Sequence, residues 1–410
     1  MKVLLSAYAC EPGKGSEPEV GYRALLAAAS KHDVWILTRA NNLSSLEPVL
    51  RDHPLAPRIH VEAFDIPGSS MRAKHWGLPM LHWYYDIWQR RAWMKAQELE
   101  GAVGFDVVHH ATFAAYWTRV GVAGIKKPFV WGPIGGGVGL PKGFVRTLGA
   151  RGLVEDSIRY SARGILGRSP WIASAAQNAS VVLVQNQEAA RALPSTRAEV
   201  LTLPNATSAV IDSGTLLGAR SRNRDVIFIG RLVAWKGASL AIRAMARIHD
   251  LTTRLRIYGS GPDRSRLGRL ARSLGLEHRV EFMGPTLREE LLVSVAEAGC
   301  VIYPSLHDDS PLGVAEALTL GAPLVCLDHG GPAELIRLWP ASPARAVTPQ
   351  SLKQTVASLA IAVKAFLDDP PPIPVELLRP ERSFHTEILD AYERAVSGYP
   401  DRVNQALEGR

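Results

Sequence analysis

Asp225-Val-Ile-Phe-Ile-Gly230-Arg231-Leu-Val-Ala-Trp-Lys236-Gly237 runs from an apolar segment into a turn bearing glycine and two cations. The apolar run Val226 to Ile229 reads as a strand buried on both faces, and a helical pattern follows over Ala238–His249. Strand, tight turn and helix form the opening unit of a parallel sheet covered by helices. Downstream, strands are predicted at Arg254–Tyr258, Arg279–Phe282, Cys300–Tyr303 and Pro323–Leu327. Helices alternate with them at Asp263–Leu274, Leu287–Ala298, Leu312–Leu320 and Ser351–Leu367. Upstream, strands are predicted at Lys2–Ser6, Asp33–Leu37, Ile59–Phe64, Asp106–His109, Pro128–Trp131, Val181–Gln185 and Glu199–Leu203, with a helix at Glu19–Ser30. Ser208–Arg224 is polar, carries Gly and Arg, and reads as a linker. The pattern predicts an α/β protein of two Rossmann-like doubly wound domains facing across a cleft, residues 1–207 and 225–382, joined by 208–224. Asp369–Pro374 breaks the last pattern, and a C-terminal helix is expected within 383–410.

The chain has 410 residues, room for two or three domains, and its 47% hydrophobic and 21% charged content excludes a disordered, collagen-like or coiled-coil chain. Forty-seven Lys and Arg against 39 Asp and Glu leave a net charge of +8, which suits an anionic partner. Cys10, Cys300 and Cys326 are scattered, with no CxxC, so neither a disulfide framework nor a zinc site is expected; a reducing cytoplasm is the simpler setting. Val3–Ala9 ahead of Cys10 is too short for a signal-peptide core and reads as a buried first strand.

Ligands of open α/β sheets bind outside the carboxyl ends of the strands, and there the chemistry-bearing residues stand. Arg231 and Lys236, in a turn eased by Gly237, suit a diphosphate; solvated surface cations are the plainer alternative. Tyr258-Gly259-Ser-Gly261-Pro262-Asp263 follows the next strand and is either a tight turn or a close approach to a ligand. Ser305-Leu-His-Asp308-Asp309-Ser-Pro311-Leu312-Gly313-Val-Ala-Glu316 places two carboxylates eight apart around a helix start, whose amides at Leu312 and Gly313 can receive phosphate oxygens. Carboxylates beside such an anion site are useful only on hydroxyls, so the layout predicts a nucleotide sugar.

In these segments the chain resembles the retaining glycosyltransferases of family 4, which have the GT-B fold. The resemblance rests on GRLVAWKG (Gly230–Gly237), YGSGP (Tyr258–Pro262), MGPTLREELL (Met283–Leu292) and the D-x7-E run ending in EALTLGAPLV. It is weaker in the first half, at Tyr8–Arg23, Asp106–His110 and Trp131–Gly137. It implies a hexosyl transfer from a GDP- or UDP-sugar to a saccharide or glycolipid, with retention and no obligatory metal. It also implies donor contacts by Gly230, Arg231, Lys236, the Met283–Gly284 turn and the Pro311–Gly313 helix start. Glu316 matches the ribose-binding glutamate. Asp308 matches the glutamate that contacts the donor sugar, one methylene shorter here, with Asp309 as its alternative. Gly13, Gly15 and Ser16 match a glycine-bearing loop that approaches the diphosphate. His110 or His109 matches a histidine near the reacting carbon, a packed histidine being the alternative. The C-terminal helix is implied to return to the first domain.

Arg72–Lys95 holds Trp76, Trp83, Trp88 and Trp93 among basic residues. It reads as a helix packed on the first sheet, an acceptor groove, or a surface for an anionic membrane. Competing functions are a sugar-nucleotide epimerase on the same scaffold and a non-catalytic basic membrane-surface binder. No nucleic-acid motif is present, and the GxGxxG of nicotinamide enzymes is absent from the first loop.

Overall fold

A computed structural model describes residues 1–66, 78–113, 115–208, 211 and 221–399. The chain forms two compact units: Met1–Gly137, Ser161–Ser208 and Arg382–Arg410 make one, Val138–Tyr160 and Ala209–Glu381 the other.

The first unit contains β1 (Lys2–Ser6), α1 (Ser16–Ala29), β2 (Asp33–Arg39), α2 (Leu43–Leu50), β3 (Ile59–Phe64), α3 (Leu78–Val103), β4 (Val107–His110) and β5 (Phe129–Ile134). After the helix α4 (Gly149–Leu166) come α5 (Pro170–Asn178), β6 (Val181–Val184), α6 (Gln187–Ala192) and β7 (Glu199–Thr202). Its seven strands are parallel, in the order β3-β2-β1-β4-β5-β6-β7. Every residue of β4, β5 and β6 is buried, in β6 as its unbroken apolar run requires, whereas the edge strands β3 and β7 are partly exposed.

The second unit contains β8 (Val226–Ile229), α7 (Ala238–Met245), β9 (Leu255–Tyr258), α8 (Arg264–Ser273), β10 (Val280–Gly284) and α9 (Arg288–Glu297). It continues with β11 (Cys300–Tyr303), α10 (Leu312–Thr319), β12 (Leu324–Leu327), α11 (Gly330–Leu338), β13 (Ala344–Val347) and α12 (Leu352–Asp368). Its six parallel strands run β10-β9-β8-β11-β12-β13. Each sheet therefore reverses its strand order beside its own first strand, between β1 and β4 and between β8 and β11, which is where doubly wound sheets open a crevice.

The last helix, α13 (Phe384–Ser397), packs in the first unit against α1. Ser383 caps it by accepting from the Thr386 amide, and Tyr392 is fully buried. Its hydroxyl lies 2.8 Å from His109 Nδ1.

One sequence expectation meets a different arrangement. Residues 138–160 belong with the second unit, because Phe144 and Leu148 bury in its core beside Phe228, Leu232 and Ala234. Most of the expected linker lies outside the described residues. Arg222 within it is anchored, its guanidinium donating to the carbonyls of Gly321 (2.6 Å), Pro371 (3.2 Å) and Ala296.

The Trp-rich segment is described from Leu78, so Trp76 lies outside the described residues. From Leu78 onward the segment is the packed helix α3: Trp88 is fully buried, stacks on Phe64 at 4.9 Å, and donates its indole N–H to the Phe64 carbonyl at 3.1 Å. Trp83 and Trp93 stay exposed. No helix among the described residues is long and apolar enough to cross a membrane.

Candidate functional site

The second unit gathers charged groups at the carboxyl ends of β8 and β11. After β8 the chain passes Gly230 and Arg231, makes a short 3-10 turn over Ala234–Lys236, and enters α7 through Gly237. After β11 it passes Pro304 and returns through His307, Asp308 and Asp309 to α10. Lys236 Nζ reaches across to both carboxylate oxygens of Asp308, at 2.8 and 2.6 Å, and donates to the Tyr303 hydroxyl at 3.0 Å. Tyr303 in turn donates to Asp308 Oδ2 at 2.8 Å. Burial pushes the Tyr303 phenol well above its ordinary range, so it remains a donor at any working pH. Arg231 is exposed, and its side chain makes no hydrogen bond or ion pair among the described residues.

Glu316 sits in α10, nearly buried, and accepts from Arg288 Nε at 3.0 Å and Nη2 at 2.8 Å. Burial raises its pKa, while the Arg288 guanidinium works the other way. Arg288 lies inside the quoted MGPTLREELL run, but only its contact with Glu316 marks it as part of the site. Pro311 occupies the position before α10, so the helix begins at Leu312. A Cβ on Gly313 would rest 3.5 Å from Ile229, which places the helix start over the end of β8.

Glycine is required twice by close backbone approach. Gly237 has φ +77°, and a Cβ there would stand 2.0 Å from the Pro304 carbonyl oxygen. Gly259 has φ +122°, and its Cβ would meet the Gly230 carbonyl oxygen at 2.1 Å. The Gly259–Gly261 turn therefore packs on the loop after β8: Leu232 N–H donates to Ser260 O at 2.8 Å, and Asp263 N–H to Leu232 O at 2.9 Å. This supplies a structural reason for the turn that needs no ligand. The Gly284 carbonyl, next to the exposed Met283, accepts from the Gly259 amide at 2.8 Å. Gly237→Ala is expected to destabilise the protein by about 2–3 kcal/mol, left-handed strain adding to the clash. An unchanged urea midpoint would show that the turn relaxes freely.

The Asp308–Asp309 loop is fixed from its other side. The Gly331 amide donates to Asp308 O at 2.9 Å, and a Cβ on Gly331 would meet Asp309 O at 2.0 Å. His329, just before α11, has Nε2 2.7 Å from the Gly139 carbonyl, and Arg159 covers the Trp235 ring at 4.7 Å. The 138–160 segment thus braces the loops that carry Lys236 and Asp308. Its composition gave no sign of this.

In the first unit, Gly13 and Gly15 sit in an open loop with room for a side chain on both. The Gly13 amide donates to Glu19 Oε2 at 2.6 Å, and Lys14 pairs with Glu11. Ser16 opens α1; its side chain is outside the described set. The loop expected to meet a diphosphate thus has one of its amides satisfied by its own carboxylate. Gly136 and Gly137 are buried, packed against Trp117 and Ala189.

His109 and His110 take opposite faces of β4 and neither is exposed. His109 Nε2 lies 2.7 Å from Gly132 O, so it carries the proton, and Nδ1 accepts from Tyr392. His110 Nε2 lies 3.2 Å from the Tyr85 hydroxyl, and its Nδ1 3.4 Å from Ser6 Oγ. Both rings are packed, the alternative held open for them. Among the described residues no group of three His, Cys, Asp or Glu is placed to hold a metal ion.

Residues 217–374, which carry this cluster, match the family model Glycosyl transferases group 1. A D-inositol 3-phosphate glycosyltransferase of Corynebacterium aurimucosum is 33% identical over 123 residues, 28% of this chain and 29% of that protein. A 2-deoxystreptamine glucosyltransferase of Streptomyces kanamyceticus is 29% identical over 154 residues, 37% of this chain and 38% of that one. The alignments thus span well under half of these relatives' length. Among solved structures, the chain is similar to Anabaena HepE in complex with UDP, with a TM-score of 0.54 and 17% identity over 100% of both chains. At that identity the likeness is one of fold, and the fold is GT-B.

Proposed function

We propose that this protein is a retaining glycosyltransferase, moving a hexosyl unit from a nucleoside-diphosphate sugar to a hydroxyl of a saccharide or glycolipid. The observation that carries this reading is the Lys236–Tyr303–Asp308 cluster at the switch point of the second sheet, inside the segment that matches group 1 glycosyltransferases. A lysine, an exposed Arg231 and the start of α10 present positive charge where a diphosphate leaving group develops negative charge. As the glycosidic bond breaks, the electron pair passes to the diphosphate oxygen, and these groups stabilise it. Asp308 and Glu316, acceptors of hydroxyl hydrogen bonds, suit the donor sugar and the ribose. Arg288, bonded to Glu316, opposes the rise that burial imposes on its carboxyl. In this reading His109 and His110 are scaffold, and the chemistry asks for no metal.

UDP is the first base to test, since HepE was solved with it. A thermal-shift panel of UDP, GDP and ADP with their sugars reads the donor directly. Specific binding at a hundredfold excess over Kd stabilises by about 2.7 kcal/mol. A panel with no stabilising nucleotide would overturn the proposal, as would donor-dependent assays that release no nucleoside diphosphate. An epimerase would convert the donor without any release.

A further inference from the structure

We infer that Asp308 makes the site discriminate between the intact donor and the nucleoside diphosphate left after transfer, by competing with the diphosphate for Lys236. The inference rests on the nucleotide-sugar reading of the site. Lys236 is held by both oxygens of Asp308, at 2.8 and 2.6 Å, so a diphosphate entering here takes a cation that already has a carboxylate partner. The side chains of Lys236 and Asp308 are only 18% and 15% exposed, too little for water to replace a lost partner in full.

Once Lys236 turns to phosphate, Asp308 keeps one donor from the cluster, the Tyr303 hydroxyl at 2.8 Å. An intact donor supplies a replacement, because the hydroxyls of its sugar ring donate to the freed carboxylate. A bare nucleoside diphosphate has no such ring. It brings more negative charge to a carboxylate that has lost its cation. The donor thus exchanges partners, whereas the product leaves Asp308 short of one, and re-forming the Lys236–Asp308 pair favours product departure. Glu316 does not share this behaviour, since its partner is Arg288 at 2.8 Å rather than Lys236. Of these two carboxylates, the competition belongs to Asp308.

The test is calorimetric titration of wild type, Asp308→Asn and Tyr303→Phe with UDP, GDP, the corresponding sugar nucleotides and inorganic pyrophosphate. Asp308→Asn keeps the shape and removes the competing charge. It is expected to bind the nucleoside diphosphate and pyrophosphate roughly tenfold tighter, the intact donor within about threefold of wild type, and to show stronger product inhibition. Tyr303→Phe keeps both charges and is expected to shift product affinity by less than about threefold. Asp308→Ala gives the same direction of change if the asparagine variant does not fold. Unchanged or weaker product binding in the folded Asp308 variant overturns the inference and leaves the donor reading standing. Equal tightening by Tyr303→Phe overturns it as well. A wild-type protein that binds no nucleoside diphosphate overturns both.

Discussion

Lys236→Ala is expected to lower turnover by about 10²–10³-fold and to weaken nucleoside-diphosphate binding by roughly tenfold or more. Two effects act in the same direction. The leaving group loses the lysine's charge at the moment its own charge develops. Asp308, deprived of a cation 2.6 Å away, then faces the phosphates as an uncompensated carboxylate. Lys236→Ala combined with Asp308→Asn should therefore recover part of the diphosphate affinity, although turnover stays low. Arg231 makes no ion pair among the described residues, so Arg231→Ala should cost affinity without that second penalty. Steady-state release of nucleoside diphosphate and calorimetry on the three variants separate these contributions. Wild-type turnover in Lys236→Ala would remove the diphosphate assignment.

The parallel sheets were legible because their central strands are continuous apolar runs, such as Val181–Val184 and Cys300–Tyr303, which only a strand covered on both faces buries completely. The edge strand β13 (Ala344–Val347) went unread: three of its four residues keep some exposure, so its composition resembles a loop. Arg231, Lys236, Asp308 and Glu316 were legible as a charge series after strands. Their pairing was not. Which cation meets which carboxylate depends on contacts between residues distant in sequence, and spacing does not encode the reach of Lys236 to Asp308 or of Arg288 to Glu316. The bracing by residues 138–160 was hidden for the same reason. Phe144 and Leu148 bury in the core of the second unit, beside residues far away in sequence. Asp308 was expected to touch the sugar alone. In the structure it also holds Lys236, so under the proposed function sugar and diphosphate contacts are coupled, which sequence spacing does not reveal.

Acidification between pH 7 and pH 5 is expected to cost the protein about 4 kcal/mol of stability through His109 and His110 together. Burial pushes His109 down from 6.5 to about 4 and His110 to about 3, the latter lowered further by its neighbour. In the unfolded chain both return to the ordinary value and take up protons first. The unfolded state therefore binds more protons than the folded state below about pH 6.5, and stability falls as pH drops. The slope is about 1.4 kcal/mol per pH unit for each ring. It begins near pH 6.5 and levels off only when the folded imidazoles titrate, near pH 4 and 3. The hydrogen bonds fit the neutral form: His109 donates to Gly132 O at 2.7 Å while accepting from Tyr392, which ties β4 to the C-terminal helix. His109→Gln and His110→Gln, neutral at every pH, should each flatten the dependence of the urea midpoint on pH, and the double variant most of all. His32 and His82, lowered by burial in the same direction, account for part of the slope that remains. A double variant with the wild-type slope would show that the buried pair is not what makes the fold acid-sensitive.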